Sequence, residues 1–84
     1  MEKSELINFL EAEIVEQCQC AKDGYQTVFR DKEVPEDKIK TLTLVEVEDL
    51  LEDLDAFDEY DNAYYTAGYI AALRYTIRRL ERNE

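Results

Sequence analysis

Residues 42–54 read Leu-Thr-Leu-Val-Glu-Val-Glu-Asp-Leu-Leu-Glu-Asp-Leu, and the way this run folds decides the class of the whole chain. Two periodicities compete in it. Thr43 and Glu46 stand at the spacing of a capping box, in which the threonine hydroxyl accepts from the backbone N–H three residues on and the glutamate reaches back to the threonine N–H. Leu42 and Val47 fall where a hydrophobic staple closes the same turn. Beyond it Leu44, Val47, Leu51, Leu54 and Phe57 recur at steps of three and four, with Leu50 beside them, which is one face of a helix. The rival pattern is a strand: residues 41–47 are rich in Thr and Val and partly alternate, and residues 25–29 offer a partner for a short two-stranded element. The helix reading makes the chain all-α, a compact three-helix arrangement. The strand reading makes it α+β. The capping box favours the first.

Toward the N-terminus, Leu6, Leu10, Ile14, Cys18, Ala21, Tyr25 and Val28 mark an amphipathic helix, widened by Ile7, Val15 and Phe29. Ser4 is placed to cap it, and Glu5 suits the positive end of the helix dipole. Asp23 and Gly24 interrupt the pattern; a helix continuous to Phe29 is favoured over one that ends at Gly24. The segment from Asp31 to Asp37 holds the only proline, Pro35, and reads as a connection, with a short helix or extended piece at Asp37 to Lys40 before the capping box. Toward the C-terminus, Ala63, Ala67, Ile70, Leu73, Ile77 and Leu80 define a third helix from about Glu59 to Arg82, with Asp58 or Asp61 as its cap. Arg74, Arg78, Arg79 and Arg82 offset the negative end of its dipole. Ala63, Ala67 and Ala71, with Gly68 and Ala72 adjoining, let another helix approach closely. Packing inside the core is the first reading of that stripe, and a self-association seam is the second.

The 84 residues make a single domain, 1–84. A chain of this size buries only about 60% of its unfolded surface, so a partner or a second copy has stability to add. The start from Met1 to Glu5 is polar, and no apolar run suits a signal peptide or a membrane span, so a cytoplasmic protein is expected. Cys18 and Cys20 lie about 200° apart around a helix and read as small, partly buried thiols rather than a disulfide or zinc pair. The chain has no histidine, no Gly-rich phosphate loop and no nucleophile elbow. We therefore expect no enzyme and assign no catalytic, cofactor-binding or metal-ligating residue. Residues 53–61, DLDAFDEYD, lack the EF-hand glycine at position six and carry Phe57 where the fifth-position ligand belongs.

Charge is the unusual property. Asp and Glu number 21 against 10 Lys and Arg, a net charge of -11, which excludes direct nucleic-acid binding through a basic footprint. No Lys or Arg stands between Lys40 and Arg74, and the acids of that interval are Glu46, Glu48, Asp49, Glu52, Asp53, Asp55, Asp58, Glu59 and Asp61. On a helix they form two rows: Glu48, Glu52, Asp55 and Glu59, and beside it Glu46, Asp49 and Asp53. Like charges at this spacing destabilise an isolated helix, and few basic residues lie within sequence reach to compensate. Tyr60, Tyr64, Tyr65, Tyr69 and Tyr75 crowd the next stretch, too many for one thin core to bury. Carboxylates receive guanidinium groups bidentately and tyrosine faces stack on them, so the nine acids with Tyr60, Tyr64, Tyr65 and Tyr69 are the expected partner-binding residues. The bland alternative is a solvated face that keeps a small protein soluble.

In size, charge and its Tyr-rich helix the chain resembles the small acidic phage-encoded inhibitors that mimic nucleic acid, anti-CRISPR proteins among them. Tyr65, Gly68, Tyr69, Ile70, Ala72 and Leu73 form a Y-x-x-G-Y-I-x-A-L run similar to the C-terminal helices of small phage proteins. The four C-terminal arginines depart from a uniformly acidic mimic. The resemblance implies a host-cytoplasmic inhibitor that occupies the basic nucleic-acid groove of a nuclease or effector, without cofactor, as a monomer or small homo-oligomer. Two rival expectations stand beside it: a homo-oligomeric structural or regulatory helical protein, and an acidic antitoxin-like partner of a basic toxin.

Overall fold

A computed structural model describes residues 2–54 and 64–82 of the chain. Five helices occupy them, and no strand occurs among the described residues. They are α1 (Lys3–Gly24), α2 (Thr27–Asp31), α3 (Glu36–Lys40), α4 (Leu44–Asp53) and α5 (Tyr65–Arg82). The all-α class stands, and three expected helices become five among the described residues: the end of the first separates as α2, and the short piece expected at Asp37 to Lys40 is the helix α3. Residues 41–47 do not form a strand: Thr43 is extended, but it is the N-cap of α4, and both bonds of the capping box are made. Leu42 joins the core against which Val47 is buried, as a staple requires.

The first helix ends at Gly24 and does not continue to Phe29. Its break is set by Tyr25, not by the glycine: Tyr25 takes the left-handed conformation at φ 42° and ψ 64°, and Gly24 has no positive φ. The N–H of Gln26 donates to the Ala21 carbonyl at 3.2 Å and that of Tyr25 to Lys22 at 3.3 Å, the bond pair of a Schellman cap. A left-handed L-residue costs about 1–2 kcal/mol, and the Tyr25 side chain makes contacts that offset it. Its hydroxyl donates to the Val34 carbonyl, its ring stacks on Phe29 at 6.3 Å between centroids, and the Arg30 guanidinium lies 5.1 Å over its face. The same motif recurs after α2. Glu33 has φ 61°, and the N–H groups of Val34 and Glu33 reach back to Phe29 and Arg30 at 2.8 and 3.1 Å. Two left-handed residues thus turn the chain twice and bury Val28, Phe29 and Val34 beneath it.

At its other end α1 starts at Lys3 with Glu2 in the cap position and no side-chain cap bond, so Ser4 lies inside the helix and does not cap it. Ile14, Cys18 and Ala21 of α1 meet Ile39 of α3, Val47 and Leu51 of α4, and Ala67, Ile70 and Ile77 of α5, all buried. Full burial of a side chain such as Leu51 or Ile70 stabilises by about 1.5–3 kcal/mol. The most extensive packing is α1 against α5, with smaller contacts from α1 to α4 and α3. The helix α5 begins at Tyr65, whose preceding residue Tyr64 accepts the first turn from Gly68 at 2.9 Å; the expected caps Asp58 and Asp61 lie outside the described residues. Among the described residues no helix is long and apolar enough to cross a membrane.

Candidate protein-binding surface

The acidic interval is built on α4, and its capping box fixes where each carboxylate points. The Glu46 N–H donates to Thr43 Oγ1 at 3.2 Å, and Glu46 Oε1 accepts from the Thr43 N–H at 2.9 Å. That backbone hydrogen bond, helped by the one from the hydroxyl, holds the Glu46 carboxyl below its ordinary range. With Val47 and Leu51 turned into the core, the helical repeat carries Glu46, Asp49 and Asp53 outward, and all three are exposed, as is Glu52. No described cation pairs with Asp49, Glu52 or Asp53.

Glu48 behaves differently from its expected row. It is half-buried and receives Arg74 bidentately, Nε to Oε2 at 3.1 Å and Nη2 to Oε1 at 3.0 Å, while Nη1 of the same guanidinium donates to Glu11 Oε1 at 2.9 Å. One arginine therefore ties α1, α4 and α5 together, and its pairing with Glu48 raises the guanidinium pKa further. The expectation that the acids lack a compensating base fails at this position. Arg74 is distant from Glu48 in sequence and close in the fold. Asp55, Asp58, Glu59 and Asp61, with Tyr60, lie outside the described residues.

Tyr69 and Tyr64 bond to acids of α1 and α2, Glu13 and Asp31, not to the described acids of α4. The Tyr69 hydroxyl donates to Glu13 Oε1 at 3.3 Å, and Tyr65 meets Tyr69 edge-on, with centroids 6.3 Å apart and planes at 86°. Glu13 and Glu11 point about 200° apart around α1, so Tyr65 and Tyr69 occupy the flank of α1 opposite the one that Arg74 joins to α4. The nearby Glu13 charge, with a smaller contribution from burial, raises the Tyr69 phenol above its ordinary range. Tyr64 donates to Asp31 at 3.2 Å and lies under the Lys32 ammonium, 6.0 Å from its ring centre.

A hollow that the sequence reading missed does adjoin the acids. It encloses about 120 Å³ between α1 and α4 and is lined by Glu11, Ile14, Val15, Cys18, Leu44, Val45, Glu48 and Arg74. Val15 and Val45 are its exposed rim, at 51% and 70% of their free surface. The available signal was Val45, an apolar residue off the buried stripe of its own helix. Cys18 forms part of the wall, and burial pushes its thiol up to about 11. Cys20 is exposed, and both thiols are free. Among the described residues no three His, Cys, Asp or Glu side chains converge to hold a metal. The surface offers carboxylates around an apolar depression, which suits an aliphatic side chain flanked by Lys or Arg. Comparison with known proteins returns no match: no family model fits the chain, and no curated protein or solved structure is significantly similar to it.

Proposed function

We propose that the chain is an inhibitory binding protein of the anti-defence, anti-CRISPR type, whose acidic α4 surface occupies the basic nucleic-acid-binding groove of a nuclease or effector. One observation carries the reading: Asp49, Glu52 and Asp53 face solvent on one short helix with no described cation against them, although Arg74 of the same molecule pairs with two carboxylates close by. A helix that keeps such a row loses local stability, and a cationic partner restores it on binding. The rim of Val15 and Val45 adds apolar area at the edge of the charged patch, where steering by charge is converted into a slower off-rate. The working residues are thus Glu46, Asp49, Glu52 and Asp53, with Glu48 shaping the surface through Arg74.

The test is binding to a candidate nuclease from low to high salt, with and without competing nucleic acid. The triple reversal of Asp49, Glu52 and Asp53 to Lys is expected to weaken binding by a hundredfold or more, about 2.7 kcal/mol. Wild-type affinity should fall with salt. Affinity that survives the reversal, or nucleic acid that fails to compete, refutes the proposal.

A further inference from the structure

Among the described residues nothing packs on the outward face of α5, and that face reads the same in both directions. Tyr65 and Tyr75 are 75% and 62% exposed, and between them Gly68 and Ala72 are exposed too. A Cβ built on Gly68 meets nothing within 4 Å, so packing within the chain does not require a glycine there. Residues 65, 68, 72 and 75 follow the alternating three- and four-residue steps of coiled-coil a and d positions. They are also symmetric about residue 70: large, small, small, large.

An isologous two-fold contact demands this symmetry, because residue i of one copy must meet residue j of the other and the reverse. We infer that α5 pairs antiparallel with α5 of a second copy, crossing at Gly68 and Ala72 and flanked at both ends by Tyr65 against Tyr75. The small residues let the backbones approach closely, and the rings close the two ends of the contact. The Tyr65 ring is already braced by its edge contact with Tyr69, which lowers the cost of ordering it.

Charge selects the occupant and the direction. In a molecule of net charge -11, this stripe contains no carboxylate, and the only acid of α5 is Glu81. Two copies therefore meet here without opposing their acidic faces. In a parallel pair the exposed Arg78, Arg79 and Arg82 of both copies would lie side by side. In the antiparallel pair Arg79 sits about 13 Å along the axis from the crossing in each copy. The two clusters then stand about 27 Å apart, several Debye lengths at physiological salt. Asp49, Glu52 and Asp53 of α4 form no part of this stripe.

Sedimentation velocity of the full chain across the micromolar range, at low and moderate salt, tests the inference. A dimer is expected that tightens as salt screens the overall negative charge. Gly68→Glu and Ala72→Glu, each placed in open space on a helix, should weaken it tenfold or more while leaving the melting temperature of the monomer unlowered. Charge reversal at Asp49, used above, should leave the dimer intact, which keeps this result separate from the fate of the α4 proposal. A strict monomer across the range, a dimer indifferent to Gly68→Glu and Ala72→Glu, or association that salt weakens would each overturn the inference.

Discussion

Replacing Arg74 by Met tests whether one guanidinium holds three helices together. The change keeps the aliphatic stem and removes three charge-assisted hydrogen bonds, two to Glu48 and one to Glu11. A hydrogen bond to a charged group contributes about 1.5–3 kcal/mol when sheltered, whereas an exposed ion pair contributes about 0–1 kcal/mol. Arg74 lies between these limits, with 26% of its side chain exposed against 22% for Glu48 and 44% for Glu11. Three bonds to one group are not additive, so the set is expected to be worth about 2–3 kcal/mol. The variant also leaves two carboxylates facing the same hollow. For a domain of this size each kcal/mol moves the melting temperature by about 4–8 °C, so Arg74→Met should melt about 10–20 °C lower. Urea titration gives the free energy, and a double-mutant cycle with Glu48→Gln should return a coupling of about 1–2 kcal/mol. Arg74→Lys keeps the charge without the fork and should recover less than half of the loss. A cost under about 0.5 kcal/mol for Arg74→Met, or a coupling near zero, would show that the pair is an ordinary surface contact.

Other residues of the fold can be tested in the same way. Thr43→Ala removes one half of the capping box and should cost about 1 kcal/mol in urea denaturation. Because the Glu46 carboxyl is held below its ordinary value of 4.5, the stabilisation from its protonation equilibrium is present above that pH and lost as pH falls through the folded-state value. Cys18 has the opposite dependence: its thiol is raised from 9.0 to about 11, so its contribution is intact below pH 9.0 and disappears as pH rises toward 11. A rise of this size corresponds to a loss on the order of 2 kcal/mol; thermal melts across that window should show it, and Cys18→Val should abolish it, while a thiol reagent should find only Cys20 in the native protein. Glu33→Gly relieves a left-handed glutamate on the surface and should stabilise by about 0.5–1 kcal/mol, whereas Tyr25→Phe, which loses the bond to the Val34 carbonyl, should cost about 1 kcal/mol in the same urea assay.

The local signals were legible where a single turn settles the matter. The capping box at Thr43 and Glu46 identified the start of α4, and the apolar repeat from Ala67 to Ile77 identified the buried face of α5. What escaped the sequence depends on contacts made at a distance. Ser4 has the right chemistry for a cap, yet the backbone bond from the Leu6 N–H to the Glu2 carbonyl starts the helix earlier. The apolar repeat favours a helix that runs on to Phe29, with a break at Gly24 as the alternative because glycine weakens a helix interior; the helix does end there, and Tyr25 takes the strained conformation, stabilised by Val34, Phe29 and Arg30. Glu48 looked like one member of an even acidic row, since nothing in sequence places Arg74 against it. The hollow between Val15 and Val45 joins two helices and has no signature in either alone.

The dominance of the α1 to α5 packing has a consequence for how the protein is made. During synthesis α1 presents Ile14, Cys18 and Ala21 uncovered and finds its principal partner only when Ile70 and Ile77 of α5 have also emerged. Until then its apolar stripe is open to chaperones and proteases. A truncation within α5 would therefore leave the α1 stripe uncovered and open to degradation.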